Sequence, residues 1–358
     1  MSIKMEEAGV AMKNFYPSVS LDAPAHMGGL KNILFFHSLV EKRAQILKFD
    51  LIQGTTYTPL PFLAYSIPVI THFGSSTRGF LDATPRATSI EDGPKQVWYR
   101  FKHARAIKEL NVRTRRPLRD IAEIEQYVAM RSEAVIATSL KVRDELIHIG
   151  VEEAKIHLIH NAIEDYWFEN SKHGFVDEPH LVFLGRIGND AFNLKLKGLD
   201  RLIHVYEQFK NVKKTTVCIT TNKSLILWLA DNIPNHSLFV NVKKDEIPGI
   251  IKKLRGSICF IPSRYEGFSL SLVEAMAQGL VPVIYSVGVA PEIIRNGENG
   301  FIVSSQKEAI EKIKLLLKDA KLRNKCSIEA ENTARLFSSS TISKKLMKLY
   351  TSVVKENQ

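Results

Sequence analysis

The sequence has no CxxC pair, no HExxH and no Walker-type glycine loop, and only three cysteines, Cys218, Cys259 and Cys326, in 358 residues. So few cysteines exclude a disulfide framework. Two of them fall in apolar runs that read as strands, so they read as reduced core or surface thiols of a cytosolic protein. No apolar run reaches the ~18 residues of a membrane-crossing helix. The first residues, MSIKMEEAGVAMKNFYP, lack the apolar core of a signal peptide. Short-period repeats and low-complexity tracts are also missing. What is present is 45% hydrophobic and 24% charged, the balance of a globular protein with sizeable cores, and the length suggests two domains.

The net charge of +11 is uneven. Residues 1–170 carry 21 Lys and Arg against 20 Asp and Glu, and residues 171–358 carry 28 against 18. An excess confined to the second half fits an anionic ligand there, an anionic membrane, or merely lysine-rich solubilising faces. A nucleic-acid partner would rest on charge alone, and none is expected.

Along the chain, residues 1–25 are poorly patterned. Met27, Gly28, Gly29 and Leu30 open an apolar stretch over 30–49 with helical spacing. FDLIQ (49–53), IPVIT (67–71), AVIAT (134–138) and KIHLI (155–159) read as strands. Helices are expected over 96–131, broken around Pro117, and over 140–149, closed by Gly150. The polar run NSKHGFVDEPH marks a linker over about 171–180. A second alternation follows: LVFLG (181–185), TTVCIT (215–220), SLFVN (237–241), SICFI (257–261) and VPVIY (281–285), with helices near 199–209, 224–229 and 246–254. The tail over 306–356 is helical and lysine-rich. Strands alternating with helices predict parallel α/β sheets, one per domain. The domains expected are 1–170 and 181–335, with a C-terminal helix over 336–358 packing back on the first.

Residues 262–303, PSRYEGFSLSLVEAMAQGLVPVIYSVGVAPEIIRNGENGFIV, organise the rest. SICFI, a polar loop with Glu266 and Gly267, a helix with Glu274, and VPVIY make one β-α-β unit. Ligands of open α/β sheets sit at the carboxyl ends of strands, and the first N–H groups of the following helix favour an anion. A phosphate-bearing ligand over residues 267–271, with carboxylates taking its hydroxyls, is the reading from the residues alone. Arg186 and Lys197 follow LVFLG and can supply cations to the same edge.

These motifs resemble the retaining GT-B glycosyltransferases of the family-4 type (glycosyl transferases group 1). EGFSLSLVEAMAQGLVPVI, PEII at 291–294 and NGFIV at 299–303 carry the resemblance. LGRI at 184–187 with KGLD at 197–200, and VIATS through KIHLIHNAIEDYWF at 135–168, support it. The resemblance covers about 49–303 and is stronger in the second half. It implies an α/β GT-B architecture, with two Rossmann-like doubly wound domains facing a central cleft. It also implies a hexosyltransferase of polysaccharide or lipopolysaccharide biosynthesis. Such an enzyme moves a sugar from a nucleotide-diphosphate sugar to a hydroxyl on a saccharide or lipid-linked glycan, with retention. No cofactor or metal is implied, in keeping with the missing D-x-D triplet. The donor implied is a UDP-sugar, with GDP next.

Carried over residue by residue, Arg186 and Lys197 would hold the diphosphate, and Glu274 the ribose hydroxyls. Glu266 would face the donor sugar, with Gly267, Phe268, Ser269 and Leu270 beside the phosphates. Asn241 and Val242 occupy the place of the base contacts. His72, in THFGSST, would lie near sugar and acceptor, and Gly28 and Gly29 stand for the first-domain glycine loop. Three features depart from the pattern. No strand precedes Gly28 and Gly29, so either the first domain is trimmed or these are not that loop. The loop after TTVCIT reads TNKS, without glycines, and Asn161 is followed by Ala162 instead of glycine. These leave two rival readings open: a nucleotide-sugar-binding protein with little or no turnover, and a nucleotide-sugar epimerase. The run RFKHARAIKELNVRTRRPLR (100–119), with Trp98, Tyr99 and Phe101, holds eight Lys or Arg and one Glu. It reads as a basic amphipathic helix that could rest on the inner face of an anionic membrane, bind an acidic acceptor, or be a solvated face.

Overall fold

The computed structural model describes residues 6, 9–19, 30–86, 89–90, 92–110, 115–169 and 173–357. Gly28, Gly29 and the start of the expected linker lie outside them. The chain forms two compact units: Met1–Asp82, Arg113–Ala162 and Ser339–Gln358 make the first, and Ala83–Val112 and Ile163–Ser338 the second.

Unit 1 holds a four-stranded parallel sheet, in the order β1 (Ile52–Thr55), β2 (Val69–Phe73), β3 (Ala134–Ala137) and β4 (Ile156–Leu158). Each strand begins within three residues of its sequence-read counterpart. The 30–49 stretch is helical, as Leu30–His37, a 3-10 turn and Arg43–Ile46. The terminal helix Ser339–Glu356 covers one face of this sheet. Its Ile342, Leu346, Leu349, Tyr350 and Val353 are buried with Ile70, Ala134, Ile136 and Ile159, at roughly 2 kcal/mol of transfer free energy per side chain. Tyr350 Oη also donates to Gln53 Oε1 at 2.5 Å.

Two expectations for residues 96–131 are corrected. The break falls between the helices Asp92–His103 and Arg115–Arg131, not at Pro117. Pro117 sits in the first turn of the second helix, where its missing N–H has no intrahelical acceptor to lose. The aromatic anchors are corrected as well. Trp98 and Phe101 are fully buried in the core of unit 2, with Phe101 edge-on to Trp228 at 4.9 Å, and only Tyr99 is exposed. No helix among the described residues is long and apolar enough to cross a membrane.

Unit 2 is built on six parallel strands: β5 (Leu181–Arg186), β6 (Lys214–Ile219), β7 (His236–Val240), β8 (Ile258–Ile261), β9 (Val281–Tyr285) and β10 (Phe301–Val303). Their order is β10-β9-β8-β5-β6-β7. The central strands are apolar on both faces because helices cover both. Part of the second-half cation excess is internal. Lys195 is buried with its ammonium on the Leu110 carbonyl at 2.6 Å, and buried Lys214 donates to the carbonyls of Phe209 and Val212, both at 2.8 Å.

Candidate functional site

The strand order of unit 2 reverses once. From β5 the chain winds outward through β6 and β7, then returns to place β8, β9 and β10 on the other side of β5. At such a switch point the connections leaving two neighbouring strands diverge, and a crevice opens at their carboxyl ends. Lys197 follows β5 and Glu266 follows β8. In the crevice Lys197 Nζ donates to Glu266 Oε1 at 2.7 Å and Oε2 at 3.0 Å, and Ser263 Oγ donates to Oε1 at 2.7 Å.

The backbone explains how the pair is brought together. The short helix Ala191–Leu196 stops at Lys197, and Gly198 turns through φ 64 before the helix Leu199–Gln208 begins. A Cβ on Gly198 would stand 2.0 Å from the Pro262 carbonyl oxygen. Only glycine lets the two loops approach this closely. Arg264 clamps the same junction with two 2.7 Å bonds to buried Asp200 and one of 2.8 Å to the Lys195 carbonyl. From the other side, Gly288 at φ 54 would place a Cβ 2.4 Å from the Phe268 carbonyl oxygen. Gly198→Ala combines left-handed strain with a backbone collision. We expect it to cost about 3 kcal/mol, seen as a lowered denaturation midpoint, while Gly249→Ala, which meets nothing within 4 Å, serves as control.

Next to the pair, the helix Leu270–Ala277 starts at Ser269, whose backbone is left-handed at φ 83. Its Oγ is buried without a hydrogen-bond partner. Strain and an orphaned donor at a helix start mark a place prepared for an acceptor atom. One turn on, Glu274 is 8% exposed. Burial pushes its carboxyl up to about 7, against the lowering effect of Lys244, whose Nζ lies 3.8 Å from Oε1. Lys244 is held by Glu164 at 2.6 and 2.9 Å. Tyr166 is pushed up to about 12 by burial, then by Glu164 and Glu274.

Thus the structure brings Lys197 together with Glu266, and puts Arg186, exposed, at the end of β5. Gly267 and Phe268 are buried in the loop, and Leu270 is exposed. Asn241 follows the end of β7. Its side chain closes the end of β6, accepting from Thr220 N at 2.9 Å and donating to Thr220 O at 3.0 Å. Val242 packs partly buried against the core. His72 belongs to unit 1, at β2, where burial lowers its pKa and a bond to Asn161 partly restores it. The sequence reading missed Ser263, Glu164, Tyr166 and Lys244. All but Lys244 lie inside quoted motif stretches, and Lys244 stands two residues after Val242.

Two Rossmann-like α/β units define the GT-B fold class. Residues 6–165 match the family described as Glycosyltransferase Family 4, and residues 165–333 match Glycosyl transferases group 1. The chain belongs to the GT-B glycosyltransferases of these two related families. It is 26% identical over 198 residues to an uncharacterized 41.2 kDa protein in the cps region of Klebsiella pneumoniae, covering 51% of this chain and 50% of that one. It is 34% identical over 109 residues to the N,N'-diacetylbacillosaminyl-diphospho-undecaprenol alpha-1,3-N-acetylgalactosaminyltransferase of Campylobacter jejuni, covering 30% and 29%. The chain spans half or less of the length of these curated relatives. Among solved structures, sucrose-phosphate synthase from Thermosynechococcus elongatus superposes with a TM-score of 0.70 at 14% identity, over 95% of this chain and 82% of that one. Anabaena Alr3699/HepE in complex with UDP-glucose gives 0.61 at 18%, over 88% and 82%. At these identities the likeness is one of fold.

Proposed function

We propose that the chain is a retaining glycosyltransferase that moves a sugar from a nucleotide-diphosphate sugar to a hydroxyl of a saccharide or lipid-linked glycan. The observation that carries this reading is the meeting of Lys197 and Glu266 at the switch point of unit 2. There Lys197, with Arg186, meets the charge that grows on the diphosphate as the glycosidic bond breaks. Ser269 Oγ and the N–H groups of its helix face the phosphates, and Glu274 takes the ribose hydroxyls. In the transfer, the acceptor oxygen bonds to the anomeric carbon and the carbon–phosphate-oxygen bond breaks on the same face. The acceptor proton passes to the leaving diphosphate, and no protein nucleophile is assigned.

UDP is the nucleotide we infer, in keeping with the UDP-glucose held by Anabaena Alr3699/HepE. Protein cations in place of a metal make the reaction metal-independent in this reading. The test is a transfer assay over a panel of nucleotide sugars, with and without chelator, reading the product anomer by proton NMR. We expect transfer from an α-linked donor to give an α-linked product, unchanged by chelator. Inverted product or loss of turnover on chelation would overturn the retaining or the metal-free part respectively.

A second reading, nucleotide-sugar binding without turnover, is favoured by the four-stranded sheet that the described residues of unit 1 form. Thermal stabilisation by UDP with no transfer across the panel would select it. A contact of residues 98–119 with an anionic membrane now rests on Tyr99 and the basic side chains, since Trp98 and Phe101 are core residues.

A further inference from the structure

In unit 1, the loop that follows His72 is held by carboxylates from two other helices. β2 ends at Phe73, and the seven-residue helix Thr77–Ala83 begins after Gly74, Ser75 and Ser76. So short a helix has little stability of its own, and the first N–H groups of a helix find no acceptor within it. Ser76 Oγ accepts from Gly79 N at 2.9 Å and donates to Glu145 Oε2 at 2.6 Å. Thr77 gives two donors to one side chain. Its N–H goes to Glu125 Oε2 and its hydroxyl to Oε1, each at 2.8 Å. Glu125 stands inside the helix Arg115–Arg131, which precedes β3, and Glu145 on Leu140–His148, which follows it.

Glu125 is 4% exposed. Burial pushes its carboxyl up to about 7 against the lowering effect of the two Thr77 bonds, and Glu145 adds to the rise. Tyr57, in the loop after β1, is pushed up by burial and then by Glu125. A buried carboxylate with both oxygens bonded to one residue of a neighbouring loop fixes the place of that loop. Parallel sheets meet their ligands in the loops at the carboxyl ends of strands, and this loop begins beside His72. We propose that Glu125 is a positioning residue: acting through Thr77, it sets the loop after β2, with His72 at its root, for a sugar or acceptor met by unit 1. That a sugar is met there rests on the glycosyltransferase reading. The hold on the loop does not.

Amide hydrogen exchange of the whole chain, resolved by peptide, tests the hold without any ligand. Glu125→Leu removes both acceptors, so the amides of residues 77–80 should exchange about tenfold faster or more. Those of β5 and of the terminal helix Ser339–Glu356 should stay within about twofold. Glu125→Gln should keep the wild-type pattern. Its carbonyl oxygen accepts from Thr77 N, and its NH2 donates to Thr77 Oγ1 once that hydroxyl turns from donor to acceptor. Should Glu125→Leu not fold, Glu125→Asp, one methylene short of Thr77, is read in the same way. Wild-type exchange at 77–80, or acceleration spread evenly over unit 1, would make Glu125 an ordinary core residue and overturn the proposal. In sugar transfer, the variant with the loosened loop should lose about tenfold or more in kcat with UDP affinity within about twofold, and Glu125→Gln should restore the rate. Unchanged kcat beside a loosened loop would also overturn the proposal. A wild type that shows the exchange pattern but transfers no sugar would refute the transferase reading alone.

Discussion

Lys197→Ala is expected to lower kcat for sugar transfer by about 10²–10³-fold while changing UDP affinity much less. A cation aimed at charge that develops only in the transition state contributes mainly to the rate, and loss of one such donor costs about 3–4 kcal/mol of barrier. The ion pair adds a complication that can itself be measured. Lys197 already donates to both oxygens of Glu266, so its removal also frees a carboxylate that keeps Ser263 as its hydrogen-bond donor among the described residues. Lys197→Ala, Glu266→Gln and the double variant therefore form a cycle. If the pair works as a unit, the double variant loses about as much as either single one. Additive losses would mean that each residue acts alone. A Lys197→Ala protein with wild-type kcat would remove the lysine from the diphosphate and sink the site assignment. Folding stability offers little signal here, since the Lys197 side chain is 30% exposed and such pairs contribute at most about 1 kcal/mol.

The sequence showed where strands and helices lie because burial on both faces leaves short apolar runs such as LVFLG, SICFI and VPVIY, whose length and β-branched or aromatic content suit a covered parallel strand. It also placed Glu266, Arg186 and Lys197 after strand ends and Glu274 on the helix that follows. It could not show that Lys197 and Glu266 touch, because their meeting depends on strand order, which leaves no periodic trace in either strand. Gly198 was quoted inside KGLD, but its necessity comes from the Pro262 carbonyl 64 residues later in the chain. Asn241 was read as a base contact from its place at a strand end, yet its amide completes the backbone of Thr220. Trp98 and Phe101 were misread for a similar reason. Aromatic residues beside a basic run look like membrane anchors until a partner such as Trp228 is found for them.

Glu274 gives the second large effect, and it couples stability to function. Its carboxyl titrates near 7 in the folded chain, against an ordinary 4.5, with burial as the leading cause. The folded state therefore holds the proton more tightly than the unfolded state between these values. Stability contributed by the protonated form is complete below about 4.5 and is lost as pH rises to about 7, and above that the full cost of a buried charge remains, about 3 kcal/mol. Glu274→Gln removes the charge, so it should match wild type near pH 4.5 and denature at a clearly higher temperature at pH 8. The same substitution should weaken UDP binding about 10–100-fold at pH 8, because an amide offers one acceptor oxygen where the carboxylate offers two charged ones. Wild-type affinity for UDP-glucose, whose two phosphates keep their charge across this range, should also climb with pH to a plateau above about 7, whereas the glutamine variant should be flat. Lys244→Ala should move the wild-type rise to higher pH, since Lys244 is the group that lowers the Glu274 pKa while Glu164 raises it. Denaturation midpoints and titrations with UDP and UDP-glucose over this pH range check all of these together. A glutamine variant that gains no stability at pH 8 and binds UDP normally would mean that Glu274 is a core residue with no hydroxyl to serve.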